Sequence, residues 1–140
     1  MFRSNCFSKK QDRKYKTKKF LIENPNFCSL GIEEFSKIAK KYGVFIVQAH
    51  PYRDEKNYPT PEFVDAFEVY NSNQRHRDHS EESLKTAKEN GLYLLAGSDA
   101  HRIEDVAISG ILTKKEIKTA KDLITAIKSG EIKLIGSDAL

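Results

Sequence analysis

GLYLLAGSDAHR, Gly91 to Arg102, decides the fold. An apolar run of strand length ends in Gly-Ser-Asp-Ala-His, so a buried strand surfaces at a polar corner carrying Asp99 and His101. Residues two apart on extended backbone share a face, so the carboxylate and the imidazole can point the same way. Carboxylate with neutral imidazole suits zinc, manganese or iron. A strand that is apolar throughout reads as covered on both faces, which is the habit of parallel sheets flanked by helices.

Working outward, the neighbouring segments repeat this layout. "SLGIEEFSKIAKKYG" places Ile32, Phe35, Ile38 and Ala39 at helical spacing, with Ser29 as the expected cap and Gly43 as the stop. "VFIVQA" (Val44–Ala49) then reads as a strand covered on both faces and ending at His50-Pro51. A loop rich in proline and charge leads to "DAFEVYN", a strand alternating Ala66, Glu68 and Tyr70 with Phe67 and Val69, and ending at Asn71. "SEESLKTAKENG" predicts a helix capped by Ser80 and stopped by Gly91. Beyond the opening strand come "VAISGILT" as a fourth strand, "TAKDLITAIKSGE" as a third helix, and "IKLI" as a closing strand. The alternation of helices with apolar strands predicts an α/β fold with a largely parallel sheet. A complete (β/α) barrel takes roughly 200 residues or more, and the 140 residues here carry about half its strands. The expectation is a small open α/β domain or part of a barrel.

Charge is unevenly spread. Residues 1–19 hold eight basic side chains against Asp12 alone, a net of +7, so the remaining positions carry −3 of the chain's +4. The expected division is a basic, disordered leader over 1–19 and one domain over 20–136. The leader would attract an anionic polymer. It has no aromatic interleaving, and no nucleic-acid ligand is indicated. No apolar run approaches the ~20 residues of a membrane span, and cytoplasmic residence is the default expectation. Cys6 and Cys28 form neither a CxxC nor a zinc-finger spacing.

The polar residues converge where the strands end. His50, Glu68 with Asn71, and Asp99 with His101 all fall toward C-terminal strand ends, the edge where parallel α/β folds bind ligands. Each residue alone has an ordinary reading. His50 suits a hydrogen-bonded turn before proline, and Asp99 suits a cap on the segment around "RIEDVA". Glu68 suits a buried carboxylate holding a loop. His76 and His79 stand at helical i, i+3 spacing, yet "RHRDH" also reads as a solvated helix start. Arg53 and Arg75 suit a phosphate or carboxylate.

"AHPYR", "FEVYNSN" and "AGSDAH", in this order and each at a strand end, resemble the PHP family, the polymerase and histidinol phosphatase metal-dependent phosphoesterases. The likeness runs from about Phe20 to Ile135. It implies the C-terminal portion of a distorted seven-stranded (β/α) barrel, binding divalent metal (Zn, Mn or Fe) and hydrolysing a phosphomonoester or nucleotide through metal-activated water. Carried over by position, it implies His50, Asp99, His101 and Glu68 as metal ligands, with Glu68 a ligand or a support to one. It implies Arg53, Arg75 and His76 at the substrate phosphate. The family's first half should supply a His-x-His strand, but no histidine precedes His50. Two expectations therefore stand side by side: a metal-dependent phosphoesterase, and a catalytically incomplete PHP remnant that binds a metal or a partner chain. Unpaired strand edges left by a partial barrel would favour self-association.

Overall fold

The computed structural model of the chain describes residue 23 and residues 29–53 and 58–136. The expected leader, residues 1–19, lies outside these. The described chain runs α1 (Ile32–Lys41), β1 (Val47–Gln48), β2 (Ala66–Asn71), α2 (Ser80–Glu89), β3 (Tyr93–Gly97), β4 (Gly110–Thr113), α3 (Ala120–Lys128) and β5 (Ile132–Ile135). Single turns of 3₁₀ helix at Pro61–Phe63 and Ile103–Asp105 precede β2 and β4.

β1, β2 and β3 form a parallel sheet in that order, while β4 and β5 pair antiparallel as a separate ribbon. The α/β class and the parallel central strands match the sequence reading. Among the described residues the strands form two open sheets and close no barrel.

Local chemistry explains the element ends. α1 carries Glu33 and Glu34 in its first turn and Lys40 and Lys41 in its last, each sign complementing the helix dipole. Gly43 at φ +64° stops it in the left-handed conformation that suits glycine, as its position predicts. Gly31, rather than the expected Ser29, occupies the N-cap position. The Thr119 hydroxyl caps α3 by accepting from the Asp122 N–H at 3.2 Å. The Ser80 of α2 is helical rather than capping, and the Asp78 carboxylate accepts its N–H at 2.9 Å.

β1 is much shorter than the six-residue, largely apolar stretch that suggested it. The Ile46 N–H is taken by the Asp65 carboxylate at 2.7 Å, so only the carbonyl of that residue is left to pair with β2, accepting the Ala66 N–H at 3.2 Å. β1 is also an edge strand among the described residues, and Val47 is 42% exposed, so the expectation of cover on both faces fails there. The interior lies instead around β2. Phe67 and Val69 are fully buried with Ala39 of α1, Ala87 of α2, Ile46 and Val64, and Ile32, Phe35, Leu84, Leu92, Leu94 and Leu134 pack around them. Burying a side chain as large as Phe67 contributes roughly 2–3 kcal/mol. The β2–β3 register slips between Glu68 and Tyr70, leaving Val69 as a bulge beside the polar strand ends. No described helix is long and apolar enough to cross a membrane.

Candidate functional site

The C-terminal ends of β1, β2 and β3 form one rim, and every residue singled out in the sequence lies on it or on a segment that follows. The backbone at two of its corners is unusual. His50 has φ +35° and Asp99 has φ +47°, a region that costs a non-glycine residue about 1 kcal/mol or more. Each corner is held by hydrogen bonds. The His50 N–H donates to Glu68 Oε2 at 2.9 Å, and Asn71 Nδ2 donates to the same oxygen at 2.9 Å. Gly97, opposite on β3, leaves room for this carboxylate: a Cβ there would overlap Glu68 Oε1.

Asp99 is held from two sides. Its Oδ2 accepts from the Arg53 guanidinium and from Asn73 Nδ2, the latter at 3.0 Å. Both members of the Arg53–Asp99 pair are more than four-fifths buried. Burial raises the Asp99 carboxyl, but bonds from Arg53 and Asn73 and the charges of Arg53 and His50 outweigh it, so the group stays below its usual range. The His101 ring is largely exposed, with Nδ1 2.7 Å from the Asp99 carbonyl oxygen and 3.8 Å from its Oδ1.

A pocket opens on the β1–β2 side of this pair. His50, Tyr52 and Arg53 line it from the β1 exit, Glu68, Asn71 and Asn73 from β2 and the residues after it, and His76, Arg77, Asp78, His79 and Ser80 from the start of α2. The four expected metal ligands are thus divided. His50 and Glu68 line the pocket, whereas Asp99 and His101 lie outside it, and Arg53 reaches from the pocket to Asp99. Arg53 Nε is buried and has no hydrogen-bond partner among the described residues.

Among the described residues, no three His, Cys, Asp or Glu side chains are grouped so as to hold a metal ion. The donor chemistry agrees, because Glu68 and Asp99 spend carboxylate oxygens on N–H groups of the protein and Asp99 already faces a cation. As arranged, the set does not fit a divalent metal.

Of the expected phosphate ligands, Arg53 and His76 line the pocket. Arg75 turns away. Its guanidinium bonds Asn73 Oδ1 at 3.0 Å and Asp105 Oδ2 at 2.7 Å. His79, paired with His76 by spacing, has its ring 6.4 Å from that of Tyr52 and Nδ1 3.5 Å from Glu82.

Two residues central to this network went unmarked in the sequence. Asn73 ties Asp99 to Arg75, and Asp105 accepts the N–H groups of both His101 and Arg102 at 2.9 Å. The cap in "RIEDVA" is thus Asp105, not Asp99. Arg75, aided by those two N–H groups, pulls the Asp105 carboxyl down to about 2. The second asparagine of "FEVYNSN" was the available signal for Asn73, since asparagine tolerates such corners and offers both donor and acceptor. Ser109 secures the far side, its hydroxyl 2.8 Å from the Ser72 hydroxyl and from the Gly97 carbonyl.

With this geometry established, one family model matches part of the chain. Residues 78–132 match the family model described as PHP-associated, consistent with the C-terminal part of a PHP family domain. The match covers α2 through the start of β5 and includes Asp99 and His101, while His50, Arg53 and Glu68 precede it. No curated protein matches the chain.

Proposed function

We propose that the chain carries the phosphate-recognising part of a PHP-type phosphoesterase site, built on a portion of that family's (β/α) barrel. A phosphomonoester or the phosphate of a nucleotide is the ligand class. The observation that carries this reading is the pocket beside Arg53. A buried guanidinium N–H without an acceptor costs about 1–3 kcal/mol, and an anionic oxygen in the pocket would satisfy it. His76, Arg77 and His79 add basic groups around the same space. Its two carboxylates are already engaged, Glu68 by His50 and Asn71 and Asp78 by Ser80. The family's hydrolysis runs through metal-activated water, and the donors present do not fit a metal as arranged, so the function assigned to these residues alone is recognition.

Calorimetric titration with inorganic phosphate, without added metal, tests this. A Kd of about 1 mM or tighter, weakened at least about tenfold in Arg53→Met, is the expected result. No heat of binding at ten times that concentration would end the reading. A parallel assay of p-nitrophenyl phosphate with Mn²⁺ or Zn²⁺ should give background hydrolysis, equal in the wild type and His101→Ala. Turnover that His101→Ala abolishes would instead restore the complete phosphoesterase.

A further inference from the structure

We infer that Ser83 is the second ligand of the anion held in this pocket, its hydroxyl closing on one oxygen while Arg53 Nε holds another. The inference adds a residue to the phosphate site proposed above and rests on that reading.

Six polar residues are buried among the described residues: Ser36, Gln48, Asn73, Ser80, Ser83 and Ser109. All but Ser83 bond through their side chains within the protein. Ser36 donates to the Phe63 carbonyl at 2.7 Å, Ser80 to Asp78 at 2.5 Å and Ser109 to the Gly97 carbonyl at 2.8 Å. Gln48 accepts the Thr60 N–H at 2.9 Å, and Asn73 donates to Asp99 at 3.0 Å. Ser83 is the exception. It is 3% exposed and lines the pocket, and no hydrogen bond of its hydroxyl is found among the described residues.

A local acceptor is within reach and is not used. Helical serine and threonine hydroxyls can bond the carbonyl one turn back, as Thr125 does with Lys121 at 2.8 Å. For Ser83 that carbonyl belongs to His79, and it accepts the Ser83 backbone N–H at 3.0 Å. The hydroxyl is left for a partner in the pocket.

Two donors without protein partners among the described residues therefore border one pocket, the Ser83 hydroxyl and Arg53 Nε. The far end of the Arg53 guanidinium is tied to Asp99, which keeps Nε in place. The cavity measures about 30 Å³, room for about two water-sized groups. Two oxygens of a single oxyanion fill it, one bonded by a charged donor and one by a neutral hydroxyl. Ser83 lies in the first turn of α2, where the helix dipole favours negative charge. The acidic side chains of that turn, Glu81 and Glu82, are exposed and do not line the pocket. The rest of a phosphate ester would face the exposed His76 and Arg77 at the pocket's edge.

The test is calorimetric titration of the wild type and Ser83→Ala with inorganic phosphate, beside thermal melts of both proteins without ligand. Alanine removes one atom and suits a helix better than serine, so the variant should fold. It should bind phosphate at least about tenfold more weakly than the wild type, the lower end for a hydrogen bond to a charged group. Without phosphate it should melt no lower than the wild type, because its hydroxyl has no internal bond to lose. Saturating phosphate should then raise the wild-type melting temperature more than that of the variant. Equal phosphate affinity in the two proteins overturns the role of Ser83 and leaves the phosphate reading standing; a water bound at the hydroxyl would give that result. A clear fall in the ligand-free melting temperature of Ser83→Ala also overturns it, since the hydroxyl would then be spent inside the protein. Absence of binding by the wild type ends both readings.

Discussion

The Glu68 carboxylate on β2 accepts the backbone N–H of His50, so one strand's side chain fixes the corner by which its neighbour ends. The same oxygen accepts from Asn71, two positions beyond the bulge at Val69. Glu68 therefore acts first as a clamp between two corners of the rim. Glu68→Ala leaves a partly buried N–H and an amide without acceptors and should lower stability by about 1–3 kcal/mol. Glu68→Gln keeps one carbonyl oxygen and should lose about half as much. Urea unfolding checks both. Equal stability of the alanine variant and the wild type would show that the clamp is not needed.

Gly97 and Glu68 form a pair that can be tested together. A Cβ at Gly97 would meet Glu68 Oε1, the end of a flexible side chain, so the carboxylate must swing aside. The swing breaks the bonds to His50 and Asn71. Gly97→Ala should therefore cost about 1–2 kcal/mol in the wild type and close to nothing in a Glu68→Ala background. A double-mutant cycle measures the coupling. Strictly additive losses would mean that the alanine methyl is accommodated without moving Glu68.

Two carboxylates of the rim add to the fold's acid sensitivity. Arg75 first, with the N–H groups of His101 and Arg102, holds Asp105 down to about 2, and Asp99 is also lowered once its bonds to Arg53 and Asn73 outweigh its burial. An unfolded aspartate titrates near ~3.9. A group depressed on folding adds stability that is complete above the unfolded value and disappears as pH falls through the folded one. The melting temperature should hold down to about pH 4 and fall steeply toward about pH 2. Asp105→Asn should melt below the wild type at neutral pH, with the gap closing as the pH approaches 2. A gap constant across that range would remove Asp105 from the account.

What the sequence disclosed follows from which signals are local. The helices and the strands β2, β3 and β5 were legible because apolar periodicity, glycine stops and strand-length runs are written in consecutive residues. β1 was overread: a largely apolar run of six residues looks like a covered strand, but an aspartate nineteen positions away takes the Ile46 N–H. The rim was legible as a place, since His50, Glu68, Asp99 and His101 each end or nearly end a strand. Their division was not. It depends on Arg53 reaching Asp99 across 46 positions, a choice of partner that no spacing encodes. Arg75 illustrates the same limit, having been read as a phosphate ligand while the fold gives it to Asp105.

Asn73 is where this long-range network is most exposed to a single change. The residue is 8% exposed, and its side chain uses both ends, donating to Asp99 and accepting from the Arg75 backbone N–H at 3.1 Å and from the Arg75 guanidinium. Leucine has the same number and branching of side-chain heavy atoms and none of these groups. Asn73→Leu should therefore cost about 1–3 kcal/mol, because buried partners lose their bonds without losing their neighbours. It should also remove the only uncharged donor to the Asp99 carboxylate found among the described residues, leaving that group more dependent on Arg53. A following Arg53→Met substitution is then more damaging than in the wild type, by about 1 kcal/mol or more. Chemical denaturation of the two single variants and the double variant decides it: a double-variant loss equal to the sum of the single losses would show that Asn73 and Arg53 hold Asp99 independently.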